Sequence, residues 1–369
     1  MKIHTGHMRR ILKPLLLASL AGACYIIGDI LVAAGSFKRI HPHFNGSTAK
    51  LPVPVAGPED IDIDTVSGTA FISVDDRRAN LASPGSRRGA ILIMDMNSDT
   101  PVLRNVTPPE PADFHPHGIS VWRSAAGRVY LLAVSHRQQP RGHAVERFEW
   151  RDDSLVHIGT VMDAAVMTSP NDVAAVDGER FYVTNDHGYA EEGLQRTLED
   201  YLQRSISTVN YFDGKRMRKV AEGLAFANGI ALASDGSSVH VAATTGRKLF
   251  TYERDTTNGA LRKRAETSLG TGVDNIDIDS KGDLWIGCHP QLLKFVAYSK
   301  DAAKASPSQV LRLRPIKDGG FAVEEVMLND GVEYSGSSVA VAFRDRILVG
   351  SVFDPFLLIG RREEKPSRQ

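Results

Sequence analysis

The chain has 369 residues, 42% of them apolar, which is ample for a full core. Lysine plus arginine balance aspartate plus glutamate at 44 each, so no global field draws nucleic acid to the chain, and no nucleic-acid partner is expected. Two cysteines, Cys24 and Cys288, are a poor basis for a disulfide framework and leave the redox compartment open.

After the basic Arg9 and Arg10 comes ILKPLLLASLAGACYIIGDILVAAGSF, an apolar run interrupted by Lys13 and Asp29 and long enough to cross a bilayer. A secretory apolar region is usually about 7 to 15 residues, so this length favours a retained signal-anchor over residues 1–37, with the remainder extracellular or lumenal. Cleavage near Ala21-Gly22-Ala23, which gives a secreted protein, is the alternative. Residues 38–56, rich in histidine, proline and small side chains, read as a linker.

From residue 57 to 360 one pattern recurs six times: a polar start, an apolar strand, a glycine-containing turn or its equivalent, and a second apolar strand. The units open at Pro58 (PEDIDIDTVSGTAFIS), Pro116 (PHGISVWRSAAGRVYLLAVS), Pro170 (PNDVAAVDGERFYVTND), Ala227 (ANGIALASDGSSVHVAA), Asp274 (DNIDIDSKGDLWIGC) and Ser335 (SGSSVAVAFRDRILVGSV). A period of roughly 45 to 60 residues is the scale of a four-stranded blade, which predicts an all-β, six-bladed propeller in one domain. One segment departs from the β pattern. AEEGLQRTLEDYLQRSISTV, from Ala190, spaces Leu194, Leu198 and Leu202 four apart, which predicts an amphipathic helix inserted in a blade, either a lid or membrane-facing cap or a cover for an edge. Residues 361–369 form a charged tail.

Equivalent positions of all blades face a propeller's channel, so the polar starts should meet near one mouth. Glu59, Asn171, Asn228, Asp274 and Asn275 then offer carboxylate and amide oxygens without a thiolate, the donor set of a hard cation with many ligands, and calcium fits better than zinc or magnesium. Asp60 and Asp172 follow two of these directly and would line a second site one layer deeper, giving two calcium ions. The plain alternative is that each residue caps its own turn; recurrence at one phase in four blades favours a shared site.

Folding the hairpin of the second unit about Ala126-Gly127 brings His117 and His136 to the same end of the blade, beside the oxygen cluster. Such a pair can take a proton from water while a cation polarises an ester carbonyl. His115, His143, His187 and His289 are weaker candidates and carry no assigned role. Gly336-Ser337 lacks the surroundings of a nucleophile elbow, which disfavours a serine hydrolase.

The ordered set PEDIDIDTVSGTAFIS, FHPHGISVW, SPNDVAAV with FYVTNDHGY, GLAFANGIALASDG, VDNIDIDSKGDLWIGCHP and GSSVAVAFRDRILVGSVF resembles the serum paraoxonase and arylesterase family from about Gly57 to Phe353. The resemblance implies a six-bladed propeller with two calcium ions that hydrolyses lactones and aryl esters, with slower action on phosphotriesters. It implies that Glu59, Asn171, Asn228, Asp274 and Asn275 hold a catalytic calcium, and that Asp60, Asp172 and the backbone carbonyl of Ile119 hold a structural one. His117 matches the family's water-activating histidine and His136 its partner. The animal enzymes close the ring with a disulfide, and the linker here has no cysteine, so closure is expected to rest on strand pairing and to lean on calcium. The expected activity is a calcium-dependent hydrolase of small-molecule lactones and aryl esters; the competing reading is a non-catalytic, calcium-stabilised propeller that binds a partner or lipid.

Overall fold

The computed structural model describes residues 4–138, 141–317 and 319–363. Six antiparallel sheets form a ring. Their inner strands are Pro58–Asp64, Pro116–Arg123, Pro170–Ala175, Ala227–Leu232, Gly272–Ile278 and Ser337–Phe343, in blades one to six. Each packs on the inner strands of both neighbouring blades, and the sixth returns to the first. The second strands are buried on both faces, which explains why AFISV, LLAVS, FYVTN and ILVGS read as unbroken apolar runs rather than alternating ones. Apolar clusters fill the seams: Ile72 and Leu92 of blade one meet Val341 and Leu348 of blade six, and Phe71 and Ile91 meet Leu131 and Phe148 of blade two.

The segment 38–56 is no linker. The last three strands leave an open edge at Phe356–Arg362, and Gly46–Pro52 pairs along all of it, from Gly46 opposite Arg362 to Pro52 opposite Phe356. His43 and Phe44 add to blade five beside Leu328 and Met327. The N-terminal strand carries Ser47, Thr48 and Lys50 on a mostly exposed surface, so it lacks the apolar signature by which the other strands are read. Cys24 and Cys288 are both free, and the ring closes through this ladder.

A chain starting at Val53 is expected to lose of order 5 kcal/mol, since seven paired residues vanish and each ladder hydrogen bond is worth about 1 kcal/mol net. A chain starting at Lys38 keeps the propeller. Thermal melts of the two decide it: equal midpoints would show that the terminal strand does not hold the ring closed.

Among the described residues there are also four helices: α1 (His4–Ala33), α2 (Arg77–Ala82), α3 (Leu194–Tyr201) and α4 (Leu292–Lys300). The last three follow the second strands of blades one, three and five, so all lie at the mouth where the inner strands begin. The inserted helix is shorter than its sequence implies. Ser207–Phe212 is claimed by blade three, where Val209 and Tyr211 are buried, and the helix stops before Gln203, whose φ is 50°. Leu15–Ala33 within α1 is apolar and exposed over most of its length, while Ile30 and Leu31 are half-buried and Ala33 is buried at its end. Its end is pinned beside α4, where Leu292 N–H donates to the Ala34 carbonyl at 2.9 Å. Residues 364–369 of the charged tail lie outside the described residues, while Arg361 and Arg362 belong to the last strand.

Candidate active site

Every inner strand carries a register shift near its start, between Pro58 and Asp60, Pro116 and Ile119, Pro170 and Val173, Ala227 and Ile230, Val273 and Ile276, and Ser337 and Val339. A bulge re-aims side chains out of the simple alternation of a strand. Apart from His136, which lies on the second strand of blade two, the polar residues singled out in the sequence sit at these bulges.

Glu59, Asn171, Asn228, Asp274 and Asn275 are each no more than 5% exposed. Glu59 Oε2 and the Oδ1 atoms of Asn171, Asn228 and Asn275 are buried with no hydrogen-bond donor. The amide nitrogens, in contrast, are engaged and fix which way each amide points. Asn171 Nδ2 donates to Asp186 Oδ2 at 3.2 Å, Asn228 Nδ2 to Thr244 Oγ1 at 3.0 Å, and Asn275 Nδ2 to Glu59 Oε1 at 2.8 Å. An unsatisfied buried polar atom costs about 1–3 kcal/mol. Four such oxygens, one of them a carboxylate oxygen, with the second carboxylate of Asp274 beside them and no thiolate, fit a hard cation of high coordination number. Among the described residues no group of three His, Cys, Asp or Glu side chains clusters as a metal site, which matches a cage built largely of amides.

Burial pushes the Glu59 carboxyl up, but His117, with its Nε2 at 3.5 Å, and Arg77, at 3.6 Å, outweigh it and hold the group at about 2. Asp274 is pushed up by burial, with His289 Nε2 at 2.7 Å pulling against it. Ser338 Oγ donates to the Glu59 carbonyl and ties blade six to the cage.

Asp60 and Asp172 occupy the next layer. Asp60 accepts the N–H groups of Ile61 at 2.9 Å and Ile119 at 2.6 Å; Asp172 accepts those of Val173 at 2.7 Å and Ile230 at 2.8 Å. Each carboxylate therefore staples its own strand to the next blade, and Ile119 joins this layer through its N–H. Burial first, and the negative charge of Asp172 and Glu59 second, push the Asp60 carboxyl well up, and Asp172 is raised by burial in the same way. Gly118 is required here, since a Cβ would lie 2.2 Å from Asp172 Oδ1. Asp172→Ala leaves two buried N–H groups without an acceptor, and a loss of at least about 2 kcal/mol is expected. Chemical denaturation measures it; a wild-type midpoint would mean that the carboxylate does not couple the blades.

His117 Nδ1 lies 2.7 Å from His136 Nε2, with the rings edge to face. The outward nitrogen of His117 points to Glu59, so the pair borders the cage. His136 is held well below its usual value by burial and then by His117 and His143.

Several neighbours of the cage were given no role from the sequence, His143, His187 and His289 among them. Asp186 receives Ser169 Oγ and Asn171 Nδ2 and lies 2.7 Å from His187 Nδ1; His187 Nε2 in turn meets Asp200 of α3 at 3.1 Å. Burial lowers His187, but the two aspartates outweigh it and raise it to about 10. His289 stacks on Phe295 at 3.8 Å, and His143 Nδ1 lies 2.9 Å from His136 Nδ1. Asp75, His136, Asp186, Thr244 and His289 each follow the second-strand residue that pairs with, or beside, an inner-strand start, so the repeat phase marks them as it marks the cage. Beside the cage a mainly apolar cavity of about 360 Å³ opens between α1, α3 and α4, lined among others by Ile30, Tyr201, Phe226, Leu292 and Phe295.

The family profile described as arylesterase matches residues 55–359. The chain belongs to the arylesterase family. Among curated relatives of this arylesterase-family protein, serum paraoxonase/arylesterase 1 of Rattus norvegicus is 36% identical over 304 residues, 81% of this chain and 84% of the relative. Serum paraoxonase/arylesterase 2 of Homo sapiens is 35% identical over 81% of this chain and 84% of its own, and serum paraoxonase/lactonase 3 of Oryctolagus cuniculus 31% over 92% and 97%. Among solved structures, a putative gluconolactonase matches with a TM-score of 0.53 at 16% identity, over 89% of this chain and 97% of that one. A gluconolactonase from Xanthomonas campestris matches at 0.51 and 15%, over 88% and 98%. These two likenesses show that the arylesterase-family chain shares their fold.

Proposed function

We propose that this chain is a calcium-dependent hydrolase of lactones and aryl esters, with Glu59, Asn171, Asn228, Asp274 and Asn275 around a catalytic calcium and Asp60, Asp172 and Ile119 around a structural one. The observation that carries the reading is the set of four orphaned oxygens on four different blades, bordered by a histidine pair. Family membership supports the ester chemistry, as do the relatives named arylesterase and lactonase.

Calcium bound there would supply Lewis-acid polarisation of the substrate carbonyl and stabilise its developing negative charge. His117 would take the proton of the attacking water at Nε2, the nitrogen nearest Glu59, while its Nδ1 stays hydrogen-bonded to His136. Arg77 offsets part of the negative charge of Glu59, and the cavity between the helices would take the apolar arm of the substrate and shed water from it.

The same reading includes a membrane anchor. Leu15–Ala33 is mostly exposed and, apart from Asp29, carries no charge, and its buried end docks at the cage mouth, which would turn the mouth toward the bilayer with the propeller on the extracellular or lumenal side. Turnover of phenyl acetate and a lactone panel by the purified full chain tests the catalytic reading. Metal binding without turnover of any of these would favour a non-catalytic propeller instead.

A further inference from the structure

The histidine pair is not a pair. His143, on the strand Arg141–Arg151, stands directly opposite His136 in the ladder, and its Nδ1 lies 2.9 Å from His136 Nδ1. With the 2.7 Å contact between His136 Nε2 and His117 Nδ1, three imidazoles form one continuous chain of nitrogens. The rings meet edge to face, at 71° for the first pair and 86° for the second. The cage end of the chain is His117 Nε2; the other end is His143 Nε2, on a half-buried ring in a strand that begins with the exposed Arg141.

Two neutral imidazoles can hydrogen-bond only if one nitrogen of each contact carries the proton. The chain therefore has two self-consistent arrangements. In one, His117 Nδ1–H donates to His136 and His136 Nδ1–H donates to His143, leaving a free lone pair at His117 Nε2. In the other every donor is reversed, and His117 Nε2 carries the proton. Passing between them moves one proton from the cage to the outer end with no net charge left on any ring.

We propose that His143 is the outlet of a three-histidine relay that carries the proton taken by His117 to solvent. This rests on the reading of His117 as the base. In the forward sense a water proton binds His117 Nε2, the Nδ1 proton of His117 passes to His136 Nε2, the Nδ1 proton of His136 passes to His143 Nδ1, and His143 releases its Nε2 proton to bulk water. The hydroxide so formed adds to the ester carbonyl, and the leaving alkoxide is protonated from His117 Nε2 as the chain resets. The reset draws one proton back from water at His143 Nε2, and the acid product then ionises to its carboxylate, releasing the one net proton that ester hydrolysis at neutral pH requires.

The surroundings suit a transfer path better than a stored charge. Burial and then each other's charge lower His136 and keep it neutral at rest; His143 is lowered by burial, with Asp186 raising it and Arg196 and Arg141 lowering it. The groups facing the relay are thus Glu59 at the cage end, Arg77 of α2, Asp186 of blade three, Arg196 of α3 and Arg141 on the same strand as His143.

His143→Asn keeps a polar atom where Nδ1 stood but cannot pass a proton through, and His143→Leu removes the contact. For His143→Asn in dilute, non-transferring buffer, kcat on a lactone should fall by at least about tenfold with KM unchanged, less than the 10²–10⁴-fold that a direct base provides. Rising imidazole concentration should restore it. In nitrogen-15-histidine spectra the wild type should show two protected ring N–H signals from the two contacts, and His143→Leu one. Wild-type turnover of His143→Asn at every buffer strength, or a loss that imidazole leaves untouched, overturns the relay. Melting temperatures identify a variant that fails by misfolding, and the nitrogen-15 spectrum of the wild type then decides. Should His117→Gln itself keep full turnover, the base assignment fails instead.

Discussion

Stripping calcium from the full chain is expected to abolish lactone and phenyl acetate hydrolysis, and restoring it is expected to bring the activity back. Four buried oxygens, on Glu59, Asn171, Asn228 and Asn275, have no hydrogen-bond donor among the described residues, and a cation bound to them would polarise a carbonyl. The same removal should lower stability. Asp60 and Asp172, and Glu59 and Asp274, are like charges forced into buried proximity, and burial plus mutual repulsion push the Asp60 carboxyl well up. A ligand bound only by the folded state stabilises by about 2.7 kcal/mol at 100 times its Kd and about 4.1 kcal/mol at 1,000 times. Differential scanning calorimetry with and without chelator, run beside the activity assay, reads both effects. Turnover that survives exhaustive removal of the ion would count against the whole cage assignment.

His117→Gln is expected to lower kcat by roughly 10²–10⁴-fold, the usual worth of a positioned general base. Calcium binding should remain, because the five cage residues and the four blades that carry them are untouched. Asn228→Ala separates the two roles. It deletes one cage oxygen and the bond to Thr244 Oγ1, so it should weaken calcium affinity and recover part of its activity when calcium is raised. Isothermal titration of calcium into both variants, paired with steady-state kinetics, makes the distinction. A His117→Gln enzyme within tenfold of wild type would require another group to take the water's proton.

The cage was legible because a propeller repeats its geometry: an acid or amide at one phase of several blades must arrive near one axis. The same rule applied to the second strands would have found Asp186 and Thr244, each one step past the residue that pairs with the first residue of an inner strand, and His289, which pairs with Gly272 itself. It was hidden there because these three share no chemistry with one another, whereas the cage residues are all oxygen donors. Gly118 and Gly229 were visible in PHGIS and ANGIA, yet their reason is an approach between blades, with a Cβ at Gly229 falling 2.4 Å from the Asp274 carbonyl. The terminal strand Gly46–Pro52 went unread because its partner lies more than 300 residues away and most of its side chains, Leu51 excepted, stay outside the core.

Local sequence determined the elements and their repeat: alternation, turns and apolar runs are properties of neighbouring residues, and six similar units bury their faces only by closing on one another. What the tertiary structure decided is everything that depends on contact between units: which end strand completes blade six, which amide nitrogens are engaged so that their oxygens turn inward, and that a third imidazole stands behind His136. Those facts depend on distances of about 3 Å between residues from 7 to more than 300 positions apart, and a pattern along the chain carries no record of such distances until the sheets pack.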